Sequence, residues 1–290
     1  MVLPSGGFSM RQRRPVPVLA WVALACVPVA APAAAEAPCT MRVESELFTA
    51  GESEPVARSL TVFRDGLAWD FLELSPASDP ADTAEPTVRE IVLHDPARER
   101  VVVIDPARHL KTEIGFIRLE RLSVSLANWA RTTDDKLVRW AGGPDFGGCF
   151  SETEDGLELV GPRVRYAVAH VPAPSSEAAA AYRRFADTAL LLKALIHPGG
   201  IPPFPRLAVN RRLEAAGALP AEVTLEIDTR PTPLAGRPDR LRCVHRIHPR
   251  LLGSDIDRVQ DAEAHMAASE AVDLATFVEG PAEAAAVRQD

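Results

Sequence analysis

The tetrapeptide Asp-Pro-Ala-Arg occurs twice between Glu90 and Ile114, at Asp95–Arg98 and again at Asp105–Arg108. That repeat constrains the fold more than anything else in the chain. Proline sets φ at the second corner of a type I turn, and the aspartate oxygen can cap the turn amides. Each turn follows a short run of Val, Ile and Leu, the composition of a strand. The stretch predicts an antiparallel meander with tight corners and strands over Thr87–His94, Arg100–Asp105 and His109–Ile114.

The same pattern extends upstream. Thr40–Ala50 reads as a strand, and Ser59–Arg64 and Leu67–Leu74 flank Asp65-Gly66, a two-residue type I′ hairpin signal. Leu67, Trp69 and Phe71 alternate with Ala68 and Asp70, so the three bulky groups share one face. Ser75–Pro86 reads as a polar loop. Downstream, Leu119, Leu122, Leu126 and Trp129 make an amphipathic helix stripe that breaks near Thr132–Asp135 and resumes to Trp140. The Gly-rich segment Gly142–Gly148 lacks the Lys-Ser/Thr of a phosphate loop and reads as a connection. Strands over Leu157–Val160 and Arg163–Val171 lead to a helix capped by Ser175 or Ser176 and running to about Ile196. Pro198–Pro205 ends it. A short helix over Leu207–Gly217 precedes strands over Ala221–Asp228 and Asp239–His248. Residues 251–290 read as a helical, acidic, alanine-rich tail whose last twenty or so are loosely held.

Arg11, Arg13 and Arg14 precede an apolar run from Val16 to Val29, and Ala33-Ala34-Ala35 fits signal-peptidase cleavage before Glu36. Residues 1–35 therefore read as a signal peptide, and the protein as exported to a periplasmic or extracellular space. Pro15, Pro17, Pro28 and Pro32 lie in or beside the run, whose uninterrupted apolar core is shorter than the ~20 residues a membrane span needs. Lipidation at Cys26 is the alternative, and membrane association is expected only in that case. The formal net charge of −8 argues against binding a nucleic-acid backbone. Cys39, Cys149 and Cys243 remain after the leader, in no metal-ligand spacing. An oxidising compartment favours one disulfide among them, in a pairing the sequence does not fix.

Chemistry is sparse. Cys243, His245 and His248 form C-x-H-x-x-H, but on a strand the third side chain points to the other face. His94, His109 and His170 could be set beside Asp95, Asp105 or Glu113, yet no nucleophile motif accompanies them. The reading assigns no catalytic residue, no metal ligand and no cofactor. Its candidate ligand-contacting residues are apolar strand positions: Leu67, Trp69, Phe71, Leu93, Val103 and Tyr166.

The order of elements resembles the LolA/LolB-like carrier superfamily: a meander with turns such as His94-Asp95-Pro96 and Ile104-Asp105-Pro106, a helix after about six strands, two more strands, further helices and closing strands. The resemblance covers about Cys39 to His248. It departs at the start, where carriers open with a helix and this chain reads as a strand. It implies an α+β domain over residues 36–250, with eight to ten strands in a strongly curved antiparallel sheet, an incomplete β-barrel, and helices over its concave face. It also implies an apolar ligand or lipoprotein acyl chain held in that concavity. Two other functions stay open: an exported hydrolase or metalloenzyme using Cys243–His248, and a structural envelope protein without a small ligand.

Overall fold

The meander forms with the corners its repeat predicts. The computed structural model describes residues 39–74, 88–143, 145–153, 156–228 and 239–279, all within one unit spanning Ala37–Asp290. The leader and the loop expected over Ser75–Pro86 lie outside these residues. The chain opens with strands β1 (Met41–Thr49), β2 (Ala57–Arg64) and β3 (Leu67–Leu74), then the meander strands β4 (Val88–Asp95), β5 (Arg100–Asp105) and β6 (Leu110–Gly115). Helices α1 (Phe116–Thr132) and α2 (Lys136–Ala141) lead to β7 (Phe150–Thr153), β8 (Gly156–Gly161) and β9 (Val164–Pro172). Helices α3 (Ser176–Ile196) and α4 (Phe204–Ala215) precede β10 (Ala218–Ile227) and β11 (Asp239–His248). The described chain closes with α5 (Gly253–Ala268), β12 (Glu270–Ala271) and α6 (Leu274–Glu279).

The strands make one twelve-stranded sheet in the order β12-β6-β5-β4-β3-β2-β1-β11-β10-β9-β8-β7. It is antiparallel except where β12 joins β6. The fold is α+β, and the sheet is not closed into a barrel. The count exceeds the eight to ten strands read from sequence because β7 and β12 are four and two residues long, too short to show alternation.

Local chemistry explains the corners. In both repeats the aspartate caps the turn: Arg98 N–H donates to Asp95 Oδ1 at 3.3 Å and Arg108 N–H to Asp105 Oδ1 at 2.9 Å. The next residues, Glu99 and His109, take left-handed φ values of 50° and 52°, which reverse the chain. Asp65 and Gly66 have φ of 53° and 78°, as a type I′ turn requires. The Ser175 hydroxyl accepts from Ala178 N–H at 3.2 Å and starts α3. Helix α4 begins at Phe204, earlier than expected, because Pro205 falls in its first turn, where its missing N–H is not needed. Gly217, at φ 62°, ends it.

The two sheet faces differ. On one, Met41, Val43, Phe63 and Ala68 pack against Ala178, Tyr182 and Phe185 of α3. Beside them Val92, Val101, Val103 and Ile114 meet Leu119 of α1, Leu192 and Ile196 of α3, and Leu274 and Phe277 of α6. Further along, Leu157, Tyr166, Val168 and Val223 pack on Val209 and Leu213 of α4. On the opposite face, Trp69, Phe71, Leu93 and Val102 lie under Val259 and Ala262 of α5. Burying each such side chain contributes about 1.5–3 kcal/mol. Across β8, β9, β10, β11, β1 and β2, that second face carries paired charges instead: Arg165–Glu158, Arg165–Glu226, Arg242–Glu222, Arg246–Glu46 and Arg58–Glu46. Such alternation is what a half-solvated antiparallel sheet requires.

Two expectations need correction. Trp129, the last member of the α1 stripe, is 52% exposed; near that end of the helix it is the next residue, Ala130, that is buried, against Gly142. The last twenty residues, expected to be loosely held, include Leu274 and Phe277, which are buried in the core; residues 280–290 lie outside the described residues.

Candidate functional site

The six apolar candidates do not converge. Trp69, Phe71 and Leu93 are buried under α5, and Leu67 packs at the rim of the same cluster. The Leu67–Trp69–Phe71 face, read from sequence as ligand-contacting, is thus filled with core side chains. Val103 points to the other face, because its partner Val92 alternates with Leu93. Of the six, Tyr166 lines a cavity.

That cavity lies between the sheet and the α3–α4 corner, with a volume of about 380 Å³. Its floor is two cross-strand rows: Leu47, Cys243 and Val223, then Leu241, Leu225 and Tyr166. Its wall is one face of α3, with Leu190, Lys193, Ala194 and His197 at helical spacing. Gly199, Ile201, Pro203 and Arg206 close the end. The Pro-Gly-Gly-Ile-Pro-Pro breaker that stops α3 therefore also keeps α4 off the floor. The size falls in the roughly 300–1,000 Å³ range of small-molecule sites. A second hollow of about 400 Å³ lies at edge strand β7, where Ser151, Glu152, Thr153, His170 and Arg212 stand beside Phe150, Leu157, Ala215 and Ala216.

Beyond Leu47 and Cys243 the floor turns polar. Ser45 Oγ and His245 Nδ1 are 2.8 Å apart. Ser59 and Thr61 donate to Asp70 Oδ1 at 2.8 and 2.7 Å. Burial raises the Asp70 and Glu90 pKa values, against the field of Lys193. Burial, with Arg206 adding to it, drives His245 down to about 4, so its ring is neutral near pH 7. Burial pushes the Cys243 thiol up to about 11 and Tyr182 up to about 12. A thiol held at that value is neither a thiolate nucleophile nor a ready metal ligand.

The enzyme-like groupings come apart. Cys243 and His245 share a face, whereas His248 lies on the other, 3.7 Å from Glu44. Among the described residues, no three His, Cys, Asp or Glu side chains gather as a metal site. No carboxylate is hydrogen-bonded to His245 among them, so the Ser45–His245 pair lacks the third member of a relay. His94 stacks on Phe116 at 5.2 Å, while Asp95, Asp105 and Glu113 are engaged by Arg98, Arg108 and Arg100. His109 is an exposed turn residue. Cys39, Cys149 and Cys243 are free thiols rather than the expected disulfide and odd cysteine. They sit against separate parts of the structure: Cys39 beside α3, Cys149 beside the β8–β9 core and Cys243 in the cavity.

Sequence reasoning missed Leu47, Leu190, Ala194, Ile201, Leu225 and Arg206. The alternation of Val223, Leu225 and Ile227 marked a buried face, but nothing local showed that a helix would stop short of it. No protein-family model matches the chain, and no curated protein matches it.

Proposed function

We propose that this is an exported, non-catalytic binding or carrier protein that holds an apolar, acyl-chain-like ligand or a lipoprotein acyl chain between its sheet and helices. The observation that carries the proposal is the 380 Å³ cavity, whose floor is almost wholly apolar at Leu47, Val223, Leu225 and Leu241. Burying an alkyl chain there is favourable by about 0.8 kcal/mol per methylene. In this reading the sheet is strongly curved and α1, α3 and α4 lie over its concave side. Residues 1–35 are removed on export, and the protein meets a membrane directly only if Cys26 is lipidated. The resemblance in element order to LolA/LolB-like carriers supports the reading. So do the protonated Cys243 and neutral His245, which suit binding better than covalent chemistry. A purely structural envelope protein would fill the helix-facing side with its own side chains, which the cavity counts against.

Lipid extraction and native mass spectrometry of protein purified from its host test the proposal. Co-purifying lipid at near-stoichiometric level is expected. A protein that carries no lipid and binds no added acyl probe contradicts it.

A further inference from the structure

The chain is acidic overall, yet among the described residues the cavity lining contains no carboxylate. Lys193, His197 and Arg206 line it instead. Lys193 and His197 are exposed and Arg206 is half-buried, so basic groups run from the opening inward. Lys193 lies within electrostatic reach of Asp70 and Glu90 on the sheet. Arg206 differs. Among the described residues its hydrogen-bond partner is the side-chain oxygen of Asn210, an amide and not a carboxylate. Asn210 is fixed in turn by donating to Asp187 Oδ1 at 2.7 Å. The field of Arg206 reaches Tyr166, Cys243 and His245, all on the sheet beneath the cavity. A guanidinium drawn from water without a counter-ion is costly, and it matches a carboxylate or phosphate in a two-pronged geometry.

We infer that the ligand is an anionic amphiphile, with its alkyl chain on the apolar floor and its carboxylate or phosphate head held by Arg206, with Lys193 and His197 beside it at the opening. The inference rests on the apolar-ligand reading and adds the chemistry of the head.

Titration calorimetry of the full chain with laurate, lauryl phosphate and lauryl alcohol tests it. At least one anion is expected to bind roughly 10- to 100-fold more tightly than the alcohol. The stronger of the two anions identifies a carboxylate or a phosphate head. Arg206→Met should bring the ratio of anion to alcohol affinity down towards one. Should that variant unfold, Lys193→Gln alters an exposed side chain and should lower the ratio of anion to alcohol affinity. An alcohol that binds as tightly as both anions, or a preference that survives both substitutions, overturns the anionic head and leaves the apolar cavity standing. If none of the three compounds binds, both readings fall.

Discussion

Asp70 on β3 stands directly opposite Thr61 on β2 and accepts a 2.7 Å hydrogen bond from its hydroxyl. A second hydroxyl, Ser59, donates to the same oxygen at 2.8 Å. These bonds favour the charged form, but burial outweighs them and raises the pKa above 3.8. The alternate residues Trp69 and Phe71 face the opposite side, so β3 separates a dry core from a polar, half-buried floor.

Asp70→Asn keeps an oxygen for both hydroxyls and removes the desolvated charge. The raised folded pKa means that Asp70 favours folding at low pH and loses that contribution as pH rises through the folded value. The variant should therefore be more stable than wild type at pH 7, and the gap should close below about pH 3.8. Denaturant melts at both pH values check this.

His94 gives the opposite slope. It is 4% exposed and depressed from 6.5 to about 4, chiefly by burial and next by Arg184. Between those pH values the unfolded chain binds a proton that the folded chain refuses, so stability falls as pH falls. The expected loss is roughly 3 kcal/mol at ~1.4 kcal/mol per pH unit. His94→Phe retains the contact with Phe116 and removes the titration. Its stability should fall less between pH 6.5 and 4, with the carboxylate contributions common to both proteins cancelling in the comparison.

The repeated turn offers an internal control. The Asp95 side chain is 1% exposed and contacts Arg98 and Arg100 at 2.9 and 3.3 Å, whereas the Asp105 side chain is 21% exposed. Burial would raise the Asp95 pKa, but the hydrogen bonds from Arg98 and Arg100 outweigh it and hold the group low. Asp95→Asn should destabilise by about 1.5–3 kcal/mol. Asp105→Asn should cost no more than about 1 kcal/mol. Equal losses in thermal melts would contradict the burial argument.

Trp69→Ala separates core from cavity. Trp69 is 2% exposed beneath α5, so its truncation should cost about 3–5 kcal/mol. Ligand affinity of the folded fraction should not change, because Trp69 and the cavity lie on opposite sheet faces. A selective loss of binding at unchanged stability would return the site to the Trp69 face.

Local sequence chemistry carried most of the fold. Asp65-Gly66, the two Asp-Pro-Ala-Arg corners, Ser175 and Gly217 each act through their own neighbours, so each was legible. The face of the sheet that would stay open was not. Leu67, Trp69 and Phe71 are bulky and alternate, which shows that they are buried but not what buries them. Val259 and Ala262 of α5, some 190 residues later in the chain, do so. The cavity was invisible for the same reason. Tyr166, Leu225 and Leu47 come from three separate strands that the sheet order β1-β11-β10-β9 brings together, and α3 sets Ala194 against them. Arg206 looked like one arginine among many until its amide-only partner was seen.

The most direct test of the central claim is to fill the cavity. Ala194 faces it from α3 and is not fully buried, so Ala194→Trp places an indole where the alkyl chain would lie. Calorimetric titration with the tightest-binding alkyl ligand should show binding to the wild-type chain and none to Ala194→Trp, while the two melt at similar temperatures. Equal binding by both proteins would place the ligand elsewhere and contradict the account.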